Sequence, residues 1–424
     1  MPHWPKPIGR KPSDYSLDRI KNVLNKLGNP EKAIPSVVHI TGTNGKGSTL
    51  SFIRYIMQTA GYKVHAYTSP HLIYFNERIV IAGNYIDDNE LYNILEECRL
   101  AVKEEVTLFE ATTIAAFLAF ARNEADITLV EVGMGGRLDA TNVIDNPILT
   151  IITSISLDHT EYLGPTVEII ASEKAGIMKP NIPCVIATQK KSVMNTLEFH
   201  AAREKSLLYR GGFEWNCNRQ NNRMIFKSAV QSIEFPLPSL AGDHQIANAG
   251  NAIAACSILS GKYKFNIGEE DISSGLKGTY WPARLELIKE EKLLPKGWQL
   301  FLDGAHNNEG ANVLSKWIAN NFSDGIYVIF GVTRNRNVEE FLQHFKPHIK
   351  LLCAVCVKSE LHAVNASLIR EKANNIGIKA VECESIGDAI FNYILKAINE
   401  NTKTILICGS LFLARDLAME IEKL

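Results

Sequence analysis

Read for its apolar and polar positions, the chain alternates strands and helices from end to end. Val37-Val38-His39-Ile40-Thr41 is a short, mostly β-branched run with the composition of a buried strand. Phe52, Ile53, Ile56 and Met57 then recur at helical spacing up to Gly61. Upstream, Ile20, Val23, Leu24 and Leu27 form one stripe of a helix, with Ser16 as its N-cap and Gly28 and Pro30 ending it. Residues 63–67 predict a second strand and residues 88–103 a helix. Residues 107–113 open another helix, with Phe117, Leu118 and Phe120 toward the core. Residues 127–132 and 148–155 are further strands. Residues 205–236 are less regular and predict the short strands of a side lobe, and Gly242–Ala249 opens a small-residue helix. Residues 289–297 have the composition of a linker. Beyond them strands restart at 299–302, 326–330, 351–357 and 404–408.

This succession is α/β. A chain of 424 residues exceeds one ordinary core, so two domains are expected, 1–294 and 295–424, each with a mostly parallel sheet, the second smaller and Rossmann-like. The formal net charge of −1 supplies no field for nucleic acid or an acidic membrane. The N-terminus lacks the apolar core of a signal peptide, and no run approaches the roughly 20 apolar residues of a membrane span. The eight cysteines are scattered, the pattern of a reduced, cytoplasmic protein. Cys353-Ala-Val-Cys356 lies in an apolar run and reads as part of a strand, not as a redox or zinc site.

The chemistry begins where the first strand ends. Gly42-Thr43-Asn44-Gly45-Lys46-Gly47-Ser48-Thr49 gathers glycines, a lysine and hydroxyls in one loop before a helix. Glycine lets backbone N–H groups close around phosphate oxygens, and the helix aims its positive end at the same anion. Lys46 would neutralise the outer phosphates, and Ser48 or Thr49 would donate to them. The strict Walker A pattern is not met, since Ile40 stands where its first glycine would be. A ligand-free glycine turn is the plain alternative; strand, loop, lysine, hydroxyl and helix in one register favour a nucleotide. Glu131 closes an apolar strand, where a carboxylate needs a cation or hydrogen-bond partners. In phosphate-loop proteins an acid so placed reaches the nucleotide's Mg²⁺. His159 follows another strand, at the edge where α/β sheets bind ligands.

The Gly42–Ser48 loop resembles that of folylpolyglutamate synthases and dihydrofolate synthases, relatives of the Mur ligases. Gly47 follows the lysine, as in the folate enzymes, where Mur ligases usually have Ser or Thr. Residues 131–142, Glu-Val-Gly-Met-Gly-Gly-Arg-Leu-Asp-Ala-Thr-Asn, resemble the folate enzymes' Glu-Val-Gly-x-Gly-Gly-Arg-x-Asp-x-Thr-Asn signature. The likeness covers nearly the whole chain.

The resemblance implies roles. Thr43, Asn44, Gly45, Lys46, Gly47 and Ser48 hold ATP, Asn248 reads the adenine, Arg284 clamps the transferred phosphoryl group, and Asp303 bonds the ribose. Two Mg²⁺ ions are held through Ser69 of a Ser-Pro-His loop, Glu131, His159 and Lys174, the last as a CO₂-derived carbamate. A monovalent cation is implied as well. The plain reading of Lys174 is a surface helix lysine. Asp14, Tyr15, Ser16, Thr107, Leu108, Phe109, Glu110, Leu138, Asp139 and Ala140 fall on pteroate-binding positions. Glu110 reads equally well as a helix N-terminal acid facing the dipole. His306 and Ser410 map to the glutamate side, and Lys46, Lys174, His159, Arg284 and His306 to catalysis. Three stretches depart from the family. Ala283 stands for glycine, Gly331–Asn337 for an Asp-Lys-Asp stretch with Asn335 and Asn337 replacing the acids, and Lys358–Ala363 for Arg- and Pro-containing motifs.

The implied activity is an ATP-dependent amide ligase. It adds L-glutamate to dihydropteroate and to reduced folates through an acyl phosphate, with ATP between closing domains. A cytoplasmic monomer with no nucleic-acid or membrane partner is expected. Another Mur-type ligase, acting on a cell-wall nucleotide precursor, is disfavoured by Gly47, the Ser-Pro-His loop and the lack of an extra N-terminal domain. A non-catalytic ATP-binding module would have lost Glu131, His159 or Lys174, and all three are present.

Overall fold

The strand before the glycine loop, β1 (Val37–Thr41), is buried at every position. The computed structural model describes residues 16–102, 106–290, 292–333, 336–360, 362–397 and 402–423. β1 lies inside an eight-stranded sheet with β2 (Val64–Tyr67), β3 (Ile79–Ile81), β4 (Asn84–Tyr85), β5 (Ile127–Glu131), β6 (Leu149–Ile152), β7 (Pro183–Ile186) and β8 (Leu207–Arg210). The order is β4-β3-β2-β5-β1-β6-β7-β8. β2 and β5 to β8 run parallel to β1, and β3 and β4 form an antiparallel edge. Strands covered by helices on both faces read as continuous apolar runs, which is why they are legible in the sequence without any alternation.

The helices of this part are α1 (Asp18–Lys26), α2 (Lys46–Thr59), α3 (Asp88–Ala101), α4 (Leu108–Arg122), α5 (Thr160–Leu163), α6 (Val167–Ala175), α7 (Lys191–Glu204), α8 (Asp243–Tyr263) and α9 (Glu269–Gly278). Phe52, Ile53, Ile56 and Met57 of α2 are all fully buried, as their spacing predicts. α9 approaches this face closely: a Cβ on Gly275 would lie 2.6 Å from the Ile56 Cα. α4 is buried at every position from Glu110 to Phe120, so it is a core helix rather than an amphipathic one. The irregular stretch resolves into a three-stranded antiparallel sheet, β9 (Trp215–Gln220), β10 (Arg223–Ser228) and β11 (Ser232–Pro236). β8, expected in the same lobe, instead closes the edge of the large sheet.

The second sheet is built from β12 (Glu286–Ile288), β13 (Gln299–Leu302), β14 (Ile326–Phe330), β15 (Ile349–Ala354), β16 (Ala380–Glu382) and β17 (Thr404–Cys408), in the order β12-β13-β17-β14-β15-β16. All but β12 are parallel. α10 (Asn308–Asn321), α11 (Val338–Gln343), α12 (Ala366–Asn375), α13 (Ile386–Asp388) and α14 (Leu413–Ile421) accompany it. Its core joins Leu314, Ile318, Val328, Phe330, Phe341, Phe345 and Leu406.

The chain forms two compact units: residues up to Ser239 with Gln245–Tyr280, and Leu240–His244 with Trp281–Leu424. The linker-like stretch 289–297 is the connection between the antiparallel strands β12 and β13, inside the second unit. Cys353 is buried in β15, and all eight cysteines are free. Among the described residues no helix is long and apolar enough to cross a membrane.

Candidate functional site

In the first unit the glycine loop is shaped by close approach. Gly42 and Gly45 have positive φ, 151° and 88°. A Cβ at Gly42 would lie 1.8 Å from Thr153 Oγ1, and one at Gly45 2.3 Å from Asn248 Oδ1. Asn248 of α8 is therefore beside the loop. The segment after β6 braces the loop backbone. Thr43 N donates to the Ser154 carbonyl at 2.8 Å, and Thr153 Oγ1 donates to the Asn44 carbonyl at 2.8 Å. The Thr43 hydroxyl donates to the Ser156 carbonyl and accepts from Ser156 N, both at 3.1 Å. Lys46 Nζ folds back on the carbonyls of Gly42 and Thr43, at 3.2 and 3.4 Å.

Ser48 and Thr49 open α2 behind this loop, at 1% and 0% exposure. Among the described residues neither hydroxyl has a hydrogen-bond partner. A buried, unpaired polar group costs about 1–3 kcal/mol. Two of them at a helix N-terminus, beside a lysine and two strained-for glycines, fit an anion or a hydrated cation that supplies the missing bonds.

Lys174, in the last turn of α6, is 4% exposed, so it is not a surface lysine. Its Nζ donates to the Gly42 carbonyl at 2.8 Å. Burial, and then the positive charge of Lys46, push its pKa down to about 7, against the pull of Asp158 and Asp139. Glu131, at the end of β5, is also buried, and its Oε2 accepts from Ser69 N at 3.3 Å. His159 precedes α5 with φ 48°; its ring is 43% exposed and its Nε2 lies 3.9 Å from Asp158 Oδ1. Among the described residues no group of three or more His, Cys, Asp or Glu side chains could hold a metal ion. The expected donor set is of another kind: a serine, one carboxylate, one histidine and a modified lysine.

The 133–142 loop is braced from both sides. A Cβ at Gly136 would lie 2.8 Å from the Glu173 carbonyl, and one at Gly133 2.4 Å from the Phe109 ring. Arg137 N donates to the Glu173 carbonyl at 2.8 Å, and its guanidinium pairs with the Glu173 carboxylate at 2.8 Å. Asp139, 6% exposed, accepts from Met134 N at 2.9 Å with one oxygen. With the other it accepts from Thr141 N at 3.0 Å and Thr141 Oγ1 at 2.5 Å. Burial pushes its pKa up, against those donors. Thr141 Oγ1 in turn meets His39 Nε2 at 2.8 Å.

The residues expected at the pteroate divide. Leu108 is 52% exposed, Leu138 half-buried, and Ala140 buried. Thr107 and Glu110 form the capping box of α4: Thr107 Oγ1 accepts from Glu110 N at 3.0 Å, and Glu110 Oε2 accepts from Thr107 N at 2.7 Å. Glu110 also receives the Arg19 guanidinium of α1, at 3.1 Å. Glu110 is thus an acid of the first turn of α4, and its capping bonds add to the dipole role expected of it. Ser16 is not the N-cap expected: Leu17 holds that position in α1, and Ser16 Oγ, one residue earlier, accepts from Asp18 N at 3.1 Å. Asp14 and Tyr15 lie outside the described residues.

In the second unit the expected residues gather at the carboxyl ends of parallel strands. Asp303 follows β13, is 5% exposed, and uses both oxygens on backbone: Oδ2 accepts from Leu285 N and Oδ1 from Ala305 N, both at 2.8 Å. Burial raises its pKa, opposed by Arg284 and these bonds. His306 Nδ1 meets the Gly304 carbonyl at 2.9 Å. Ser410 follows β17 and is buried. Ala283, where glycine was expected, has φ 55°, and Leu285 has φ 48°. Each costs a non-glycine residue about 1–2 kcal/mol. Asn337 caps α11 by accepting from Glu340 N at 3.1 Å, so the amide does there what an acid would. Asn335 lies outside the described residues. Lys358 N and Ser359 N donate to Asp416, at 2.8 and 3.0 Å.

Sequence reasoning missed the braces: Thr153, Ser154 and Ser156 under the loop, Arg19 on Glu110, and Glu286 on Ala283 N at 2.9 Å. The hydroxyl-rich run after β6 was the one legible signal for any of them.

Residues 40–256 match the model of the Mur ligase middle domain, and residues 285–421 that of the dihydrofolate synthetase C-terminal domain. The chain is 34% identical to the dihydrofolate synthase/folylpolyglutamate synthase of Bacillus subtilis, over 98% of this chain and 96% of that one. E. coli FolC in complex with DHPP and ADP superposes with a TM-score of 0.86 at 29% identity, covering 98% of this chain and 95% of that one. A bifunctional folylpolyglutamate synthase/dihydrofolate synthase with Mn, AMPPNP and L-glutamate bound gives 0.84 at 26%, covering 96% and 94%. Two matched domains in the right order, and likeness from end to end, leave one assignment: the chain belongs to the dihydrofolate synthase/folylpolyglutamate synthase family of Mur-type ligases.

Proposed function

We infer that this chain is an ATP-dependent acid–amino-acid ligase that adds L-glutamate to dihydropteroate and to reduced folates. The observation that carries this reading, beside family membership, is the pair of buried, unpaired hydroxyls of Ser48 and Thr49 behind the Lys46 loop. A triphosphate satisfies them, and Lys46 turns from the loop carbonyls to the phosphates.

The substrate carboxylate attacks the γ-phosphoryl group in line, forming an acyl phosphate and ADP. The glutamate amine then attacks the acyl carbon; phosphate leaves and an amide remains. Lys46, Ser48 and Arg284 hold the transferred group, Asn248 the adenine, and Asp303 the ribose. Asp303 already accepts two backbone N–H groups, so a ribose hydroxyl would share its remaining lone pairs. His306 and Ser410 serve the glutamate side. Divalent metal, held by Ser69, Glu131, His159 and a Lys174 carbamate, would neutralise charge on the transferring phosphoryl group.

The carbamate has a physical basis in this chain. An amine must be neutral to attack CO₂; the N–C bond forms, one proton leaves, and a carboxylate replaces a positive charge. A lysine whose pKa sits at about 7 is half neutral near physiological pH, where an ordinary lysine is almost wholly protonated. The product offers hard oxygen donors, which Mg²⁺ prefers.

The test is phosphate release from ATP with Mg²⁺ and L-glutamate, comparing dihydropteroate with tetrahydrofolate. Both acceptors should release phosphate, and only when glutamate is present. Turnover of tetrahydrofolate alone restricts the activity to polyglutamylation; turnover of neither overturns the reading.

A further inference from the structure

Arg284 sits in a turn that its own neighbours disfavour. Ala283 and Leu285 both have positive φ, 55° and 48°, the left-handed region in which a Cβ crowds the backbone. Left to itself such a turn would relax, and the guanidinium would swing with it. The structure supplies a clamp from outside. Ala283 N donates to Glu286 Oε2 at 2.9 Å, and Leu285 N donates to Asp303 Oδ2 at 2.8 Å. The Ala283 carbonyl accepts from Gly304 N and from Arg284 Nη1, both at 2.9 Å. Both flanking side chains are buried. A Cβ on Gly304 would come within 2.7 Å of Arg284 Nη1, so the guanidinium lies on bare backbone.

Glu286 is the first residue of β12 and pairs with Leu302, the residue before Asp303. Continued one step, this register sets Asp303 level with Leu285, whose N–H it accepts, while Glu286 reaches back along its own strand to Ala283, so each strained residue has its own carboxylate.

We propose that Glu286 is a positioning residue for Arg284: its carboxylate pins Ala283 in the left-handed conformation and so fixes the guanidinium before the phosphoryl group arrives. This rests on Arg284 acting on that group. Glu286 acts through the Ala283 N–H. Preorganised donors raise the rate of the chemical step, because no reorganisation is left to do at the moment of transfer. The loss should therefore fall on kcat rather than on KM for glutamate or the folate acceptor.

Four variants test it by steady-state kinetics and thermal melts. Arg284→Ala should lower kcat about a hundredfold. Glu286→Ala should lower kcat about tenfold with both KM values unchanged, and Glu286→Gln, whose amide oxygen still accepts, should stay within about threefold of wild type. Ala283→Gly removes the steric bias against positive φ, so Ala283→Gly/Glu286→Ala should recover most of the kcat lost by Glu286→Ala. If Arg284→Ala is slow while Glu286→Ala keeps full kcat, the clamp is refuted and the role of Arg284 stands. If Arg284→Ala itself keeps full kcat, the phosphoryl-clamp reading fails and this inference with it. A Glu286→Ala protein that merely melts early, and whose kcat the glycine does not restore, also refutes the clamp.

Discussion

Lys174 Nζ donates to the Gly42 carbonyl at 2.8 Å, and Lys46 reaches the same oxygen at 3.2 Å. One backbone oxygen at the mouth of the glycine loop thus takes two amines. The fold cannot keep both charged cheaply, and the more buried of the two gives way. The lowered pKa of Lys174 therefore begins in the packing of α6 against the loop.

The pH dependence follows. Lys174 titrates at about 7 in the folded chain, against 10.5 for an ordinary lysine. Its neutral, CO₂-reactive form grows as pH rises through about 7 and is lost below it. Protein stripped of CO₂ and preincubated with bicarbonate should regain activity with a midpoint near 7, when assayed at one fixed pH. In the window between 7 and 10.5 the unfolded chain binds the extra proton, so this group makes stability rise with pH there. A reactivation midpoint near that of a free lysine would remove the basis for the carbamate.

Lys46→Ala should cost at least a hundredfold in turnover, since neutralising transition-state charge is worth several kcal/mol. The melting temperature should hardly move, because among the described residues the hydrogen bonds of the Lys46 amine go to two loop carbonyls. Lys46 also lowers the Lys174 pKa, so the same variant should shift the bicarbonate midpoint upward. Retention of a tenth of the activity would exclude Lys46 from the phosphoryl group.

Glu110→Ala removes a capping box and the partner of Arg19 in one step. Loss of a cap of this kind costs about 1–2 kcal/mol, read from chemical denaturation. Glu110→Gln should retain the cap and forfeit only the ion pair. A Glu110→Ala protein of unchanged stability but raised KM for dihydropteroate would make Glu110 a substrate residue after all.

Asp139 braces the 133–142 loop with both oxygens. Asp139→Ala strands the N–H groups of Met134 and Thr141 and should destabilise by roughly 2–3 kcal/mol. Because the loop packs on α6 beside Lys174, kcat should fall for dihydropteroate and tetrahydrofolate together. A selective rise in KM for dihydropteroate would instead show that Asp139 reads the pterin.

Much of this fold is legible in the sequence, for a physical reason. β1, β5 and β6 are apolar runs because both their faces are covered, and the stripe on α2 is local spacing. The glycine loop announces itself because only glycine tolerates Thr153 and Asn248 so near. What sequence hides are bonds between distant residues. Glu286 looks like any strand-edge acid until the turn before β12 brings Ala283 N onto its carboxylate, and Arg19 looks like any surface arginine until α4 delivers Glu110. Short strands fail for a related reason: β12 and β16 span three residues each, too few for periodicity to speak. Ala283 reads as a mild departure in sequence, and its cost shows only in its backbone angle.

In the proposed reaction a pteroate carboxylate is phosphorylated and the glutamate amine then displaces the phosphate. Dihydropteroate whose carboxylate carries heavy oxygen, turned over with ATP, Mg²⁺ and L-glutamate, tests it most directly by mass spectrometry of the products. One labelled oxygen should leave in the inorganic phosphate for each amide formed, and the other should stay in the product carbonyl. Phosphate free of label, with amide formed at the same rate, would contradict it.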